Sequence, residues 1–157
     1  MQFGSADFSS CRTYRYALRR TWNPRGQTVL FILLNPSTAD AQLDDPTIRR
    51  CIGFARSWGC GGLVVGNLFA FRATNPAVLK SARDPVGPEN DQWLRSLATK
   101  ADLVVAGWGA HGTLRGRDKA VLALIDRPSV LATTKSGRPR HPLYLRRDLV
   151  PRAWTEE

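Results

Sequence analysis

The chain has 157 residues, 43% hydrophobic and 23% charged, which suits one globular domain able to bury a core and excludes a disordered or fibrous chain. Its formal net charge of +10 and pI near 10.5, with arginine outnumbering lysine, favour a polyanionic partner, most simply nucleic acid. Three cysteines without C-x-x-C spacing, no apolar run of transmembrane length and no secretory-signal pattern lead us to expect a reduced, cytoplasmic protein without a membrane partner.

Cys11–Trp22 interleaves aromatics with arginines and reads as a half-exposed strand, with Arg12, Arg15, Arg19 or Arg20 on its open side. Asn23-Pro-Arg-Gly26 reads as a turn, so this strand is expected to form an antiparallel edge hairpin with the next. Val29–Leu34 is an unbroken apolar run, as in a strand buried on both faces. Polar residues then arrive abruptly: Asn35, Ser37, Thr38, Asp40, Asp44 and Asp45. Asp45-Pro46-Thr47 is a helix start, with Asp45 as cap and Ile48, Cys51, Ile52 and Ala55 facing the core as far as about Trp58. Asp45 is explained by capping, which leaves Asp40 and Asp44 as candidates for chemistry. Asp44 and Asp45 could also bind a metal, but two adjacent carboxylates without a third ligand nearby are weak evidence for one, so no metal or other cofactor is assigned.

Leu63–Phe69 is a second apolar strand that ends in polar residues, Asn67, Arg72, Thr74 and Asn75. A short helix from Ala77 to about Ala82 follows, then a turn-rich loop, then a helix with Trp93, Leu94, Leu97 and Ala98 on one face. Asp102–Gly109 is a third strand closing in glycines and Trp108, with His111 just beyond. Arg115–Ile125 reads as a helix and Ser129–Ala132 as a fourth strand, followed by a basic loop that holds His141-Pro142. Strands alternating with helices predict a single α/β domain over 1–157: a three-layer α/β/α sandwich whose mostly parallel sheet has about four strands plus the N-terminal edge hairpin strand. The polar loops at the strand carboxyl ends are expected to converge on one cleft.

The blocks Leu-Asn-Pro-Ser-Thr-Ala-Asp (34–40), Asp-Asp-Pro-Thr-Ile-Arg-Arg (44–50), Asn-Leu-Phe-Ala-Phe-Arg-Ala-Thr (67–74), Gly-Pro-Glu-Asn-Asp (87–91), Trp-Gly-Ala-His-Gly (108–112) and Arg-His-Pro-Leu-Tyr-Leu (140–145) resemble a bacterial and phage family of unassigned function, domain of unknown function 1643. Their order is also distantly similar to the uracil-DNA glycosylase superfamily. There one strand ends in Asn-Pro-Gly, a second in Asn followed by hydrophobics and Arg, a third in a Gly-rich turn, and a late loop carries His-Pro-Ser. Asn35-Pro36, Asn67, Gly107-Trp108-Gly109 and His141-Pro142 match these blocks. Ser37 stands in place of the motif glycine, and Leu143 in place of the serine whose loop pinches duplex DNA.

That resemblance implies a uracil-DNA-glycosylase-like fold and hydrolysis of an N-glycosidic bond to a modified or damaged base in nucleic acid, DNA more than RNA. Asn35 would orient a water, and His141 would donate a hydrogen bond to the departing base. Asp40 or Asp44 would supply a carboxylate to the cationic sugar. Asn67 would read the base edge, and Phe69, Phe71 or Trp108 would stack on it. Pro36, Ser37, Gly109 and Asn90 complete the substrate-binding candidates, together with Arg49 and Arg72, which alternatively pair with the loop aspartates. Two other functions fit the same residues: a nucleic-acid-binding module without catalysis, and an enzyme of free nucleotides or nucleosides. The sequence leaves the oligomeric state open.

Overall fold

The computed structural model describes residues 2–155. Seven strands form one sheet: β1 (Phe3–Phe8), β2 (Arg15–Thr21), β3 (Thr28–Leu33), β4 (Gly62–Asn67), β5 (Leu103–Ala106), β6 (Ser129–Val130) and β7 (Arg152–Ala153), in the order β1-β2-β4-β3-β5-β6-β7. The four central strands β4, β3, β5 and β6 run parallel, while β1, β2 and β7 add antiparallel margins. The helices are α1 (Pro46–Ser57), α2 (Val78–Ser81), α3 (Asn90–Lys100) and α4 (Arg117–Leu122), with 3₁₀ segments at Ala110–Gly116 and Pro142–Tyr144.

The layers follow from the period-two alternation of β3. Leu30 and Ile32 pack with Leu94 and Leu97 of α3 and Val121 of α4. Val29, Phe31 and Leu33 face the other way, onto Ile48, Cys51, Phe54 and Ala55 of α1. Those four α1 residues are at most 2% exposed, and burying an Ile or Phe of this kind is worth roughly 1.5–3 kcal/mol. Gly66 on β4 keeps the α3 layer close, because a Cβ there would lie 2.9 Å from a Leu94 methyl.

Helix α1 forms where the sequence announces it. Asp45 has extended backbone angles and its Oδ1 accepts from the Ile48 amide at 2.9 Å, with Pro46 in the first turn. Asp45→Ala is therefore expected to cost about 1 kcal/mol of stability, read as a shift in the urea midpoint with unchanged slope.

The structure corrects four expectations. The sheet is larger than about four strands and an edge hairpin strand, because β1 and β7 extend it on both sides. The Asn23–Gly26 turn forms, with the Gly26 amide donating to Asn23 O at 3.0 Å. It does not join a hairpin, however: β2 lies beyond β4, paired to β4 and β1, while β3 has parallel partners on both sides. Strand β2 is consequently interior. Arg15 and Arg20 are only 2% and 1% exposed, where open solvent is expected from composition. The reach from Arg115 to Ile125 is not one helix, because Arg115 (φ 57°) and Gly116 (φ 64°) are left-handed and α4 starts only at Arg117.

One irregularity of β2 matters for the site. Phe8 pairs with Arg15 but Asp7 with Ala17, so Tyr16 is an extra residue in the ladder. The bulge lets Tyr16 stack on Trp93 of the α3 layer, ring centroids 6.0 Å apart. It also turns Arg15 to the α1 side, where Nη1 donates to Ala39 O at 3.0 Å. Burial lowers the Arg15 pKa to about 10, a value that leaves it charged at neutral pH.

Candidate active site at the carboxyl ends of β3 and β5

After β3 the chain turns through α1 to β4 on one side. After β5 it continues to β6 on the other side. The adjacent carboxyl ends of β3 and β5 thus part, which is where a parallel α/β sheet opens a ligand crevice. A cleft of about 590 Å³ lies there. Leu34, Asn35, Ser37 and Thr38 come from the β3 end, and Trp108, Gly109, Ala110 and His111 from the β5 end. Asp45 and Thr47 stand at the head of α1, Ala73 and Thr74 follow β4, and His141, Leu143 and Tyr144 close the wall.

Asn35 is held from both ends of its loop. Its Nδ2 donates to Pro36 O at 3.1 Å and Ala73 O at 2.8 Å. The Ala73 amide in turn donates to Pro36 O at 3.0 Å. Two carbonyl partners fix which end of the amide carries nitrogen. Oδ1 is left as an acceptor with no donor among the described residues.

His141 is half-buried, and its Nδ1 accepts from the Leu143 amide at 3.2 Å. A ring nitrogen that accepts a hydrogen bond carries no proton, so the neutral imidazole holds its proton on Nε2. Burial lowers the His141 pKa below its ordinary 6.5, with the Asp45 carboxylate acting weakly the other way. The sign of the linkage follows. The neutral ring's contribution is fully present above the unfolded pKa of 6.5 and is lost as pH falls through the lower folded value. Wild type is therefore expected to lose more stability than His141→Gln between pH 7 and pH 5, measured by urea denaturation at each pH. Proton-coupled nitrogen NMR at pH 7 is expected to show protonated Nε2 and bare Nδ1.

Among the described residues, Asp45 contributes the one carboxylate that lines the cleft. Capping accounts for only one of the two carboxylate oxygens. Oδ1 caps α1, and Oδ2 remains for the cleft. The signal was present in the sequence, since a cap that ends a polar loop at a strand terminus stands beside the crevice by construction.

The remaining predicted residues fall in different places. Ser37, Trp108 and Gly109 line the cleft with Asn35 and His141. Trp108 is otherwise buried, edge-on to Trp154 at 5.8 Å, with Nε1 lacking a partner among the described residues. Gly112 lies against the Trp108 indole so closely that a Cβ would overlap the ring. Pro36 is buried behind Asn35, its carbonyl engaged as described. Asp40 closes its own loop: Oδ1 accepts from the Gln42 and Leu43 amides at 2.9 and 2.7 Å, which holds its pKa below the usual value. Asp44 accepts from Arg20 Nε at 2.8 Å, and Arg20 also donates to the carbonyls of Arg19, Asp40 and Leu43. These bonds pin the loop between β3 and α1 to β2.

Asn67 is 1% exposed beneath the site, with neither side-chain polar atom partnered among the described residues. Asn90 is fully buried and donates through Nδ2 to Asn67 O and Leu68 O at 2.9 and 3.0 Å. Phe69 is fully buried in the α3 layer, away from the cleft surface. Arg72 lies 4.8 Å over the Phe8 ring and donates to Arg12 O at 3.3 Å. Arg49 lines a neighbouring depression. Asp44 and Asp45 thus diverge to separate partners, and among the described residues no three His, Cys, Asp or Glu gather as a metal-ligand set.

The fold and cleft define an α/β protein with an uncharged amide, a carboxylate and two imidazoles, His111 and His141, at a switch point of its parallel sheet. Residues 15–143 match the family described as Protein of unknown function (DUF1643), and the chain belongs to that family. No curated protein matches it, and no solved structure does. Among the described residues, no helix is long and apolar enough to cross a membrane.

Proposed function

We propose that the cleft hydrolyses the N-glycosidic bond of a modified or damaged nucleotide in nucleic acid. The observation that carries this reading is the fixed Asn35 Oδ1, an uncharged acceptor in a cleft that also holds the Asp45 carboxylate and the His141 imidazole. Glycosidic cleavage needs little more from a protein: a placed water, a negative group near a cationic sugar, and a donor for the departing base. Asn35 Oδ1 and the free oxygen of Asp45 orient water toward C1′. The C1′–N bond breaks with its electron pair going to the base, and C1′ gains the water oxygen. The water's proton passes to Asp45 or solvent, and the base anion, hydrogen-bonded by His141 Nε2–H, is protonated from solvent.

The block order shared with the uracil-DNA glycosylase superfamily supports the reading, as does the surplus of cations. Tyr144, 85% exposed at the rim, offers a ring on which a base can stack. On a duplex the nucleotide would be flipped out to reach the cleft. The test is incubation of the protein with base-modified oligonucleotides and nucleosides, with released base detected by mass spectrometry. Release from oligonucleotides in preference to nucleosides is expected. Release from nucleosides alone would instead identify an enzyme of free nucleosides, and salt-sensitive binding without any release would identify a binding module.

A further inference from the structure

A second depression opens beside the cleft and shares Pro46 and Leu143 with it. It measures about 390 Å³ and is otherwise lined by Arg49, Arg50, Phe54 and Arg147. Three guanidinium groups line it, and among the described residues no carboxylate does.

The acidic residues closest in the chain are engaged elsewhere. Asp44 accepts from Arg20, Asp45 caps α1, and Asp148 accepts twice from Arg146, each time at 3.0 Å. Arg146 is thereby neutralised within the chain, while its neighbour Arg147 has no carboxylate partner among the described residues. Among the described residues, Arg49 reaches a backbone carbonyl alone, Asp44 O at 3.3 Å. Arg50 is half-buried, 5.5 Å from the Phe54 ring centroid, and its Nε is out of water without a partner among the described residues. Three like charges in one depression repel, and an anion relieves them. A planar guanidinium fork suits the oxygens of phosphate in particular.

The central cleft complements this arrangement, since neither Arg nor Lys is among its lining residues. A space for base and sugar that has no cationic lining therefore adjoins a cationic space and shares Pro46 and Leu143 with it. We propose that the Arg49–Arg50–Arg147 depression binds the phosphate ester of the nucleotide whose base occupies the cleft. The inference rests on the nucleic-acid reading above. An internal phosphodiester and a terminal phosphate share this chemistry.

The full-length protein is titrated against a labelled single-stranded oligodeoxynucleotide by fluorescence anisotropy over a series of salt concentrations. The triple variant Arg49→Gln, Arg50→Gln, Arg147→Gln is expected to lower the slope of log affinity against log salt by about 2, at roughly 0.7 per phosphate contact. A control of equal charge change at exposed positions, Arg25→Gln, Arg95→Gln, Lys100→Gln, is expected to keep most of the slope. Should the glutamine triple prove unfolded by circular dichroism, Arg50→Lys with Arg147→Gln keeps the packing over Phe54 and still loses about one contact's slope. Competition by a nucleoside 5′-monophosphate, present in wild type and absent in the triple variant, assigns the site to a terminal phosphate. Competition by unlabelled oligonucleotide alone assigns it to an internal one. Equal slope losses in the two triples, or no loss in either, would overturn the proposal. Base release is scored separately: its absence alongside the slope loss contradicts only the reaction, and an unchanged slope alongside base release contradicts only this site.

Discussion

Asn35→Ala is expected to slow base release about 100- to 1,000-fold, the effect of removing one preorganised polar group from a reaction centre. The fold is expected to survive, because the Ala73 amide still bonds Pro36 O across the two loops. What is lost is a half-buried amide with two hydrogen bonds to carbonyls, worth roughly 1–2 kcal/mol together. Asn35→Asp sharpens the test. A carboxylate cannot donate to Pro36 O and Ala73 O and is repelled by both, so this isosteric change is expected to be at least as inactive and less stable than alanine. Single-turnover kinetics beside urea denaturation separate the two effects.

Asp44→Ala is the largest expected loss of stability. It leaves the Arg20 guanidinium, 1% exposed, with backbone carbonyls alone. Removing one partner of a buried pair typically costs 3–5 kcal/mol, and the 27% exposure of the Asp44 side chain puts this case near the lower end, about 3 kcal/mol. Asp44→Asn keeps an acceptor for Arg20 Nε and is expected to cost about half as much, near the value of a hydrogen bond to a charged group. Base release per folded molecule is expected to persist in Asp44→Asn, because Asp44 serves Arg20 and does not line the cleft. A collapse of turnover in a folded Asp44→Asn protein would return Asp44 to the reaction. Asp45→Asn provides the contrast: the amide oxygen still caps α1, while the negative charge facing the cleft is gone.

The parts of the fold visible in the sequence are those specified by local chemistry. β3, β4 and β5 are buried apolar runs, and α1 begins at the Asp-Pro that caps it. The margins were hidden for a physical reason. β1 is exposed over Phe3–Ser5 and β7 has two residues, so neither has an apolar pattern of its own, and their order comes from the strands they pair with. The interior place of β2 was hidden because its arginines read as solvent-facing. Arg15 instead donates to the Ala39 carbonyl and Arg20 to the carbonyls of Arg19, Asp40 and Leu43, partners that carry no side-chain signature, beside the Asp44 carboxylate. The same loop explains the site. Polar residues crowding the β3 end do line the cleft, but Asp40, Asp44 and Asp45 look alike in sequence. Only their geometry divides them into a turn closure, an arginine partner and a residue of the cleft. Asn67 and Asn90 belong to this group as well: both stand in polar blocks at a strand end or helix start, and both are buried below the crevice.

The central claim is hydrolysis at C1′ by a water that Asn35 and Asp45 hold. Its most direct test is the oligonucleotide reaction run in ¹⁸O-labelled water, with mass spectrometry of the released base and of the sugar product. Free base is expected together with a sugar that carries the label at C1′, and neither product from Asn35→Ala. Tight, salt-sensitive oligonucleotide binding with no base released across a broad panel, or base released without label in the sugar, would contradict it.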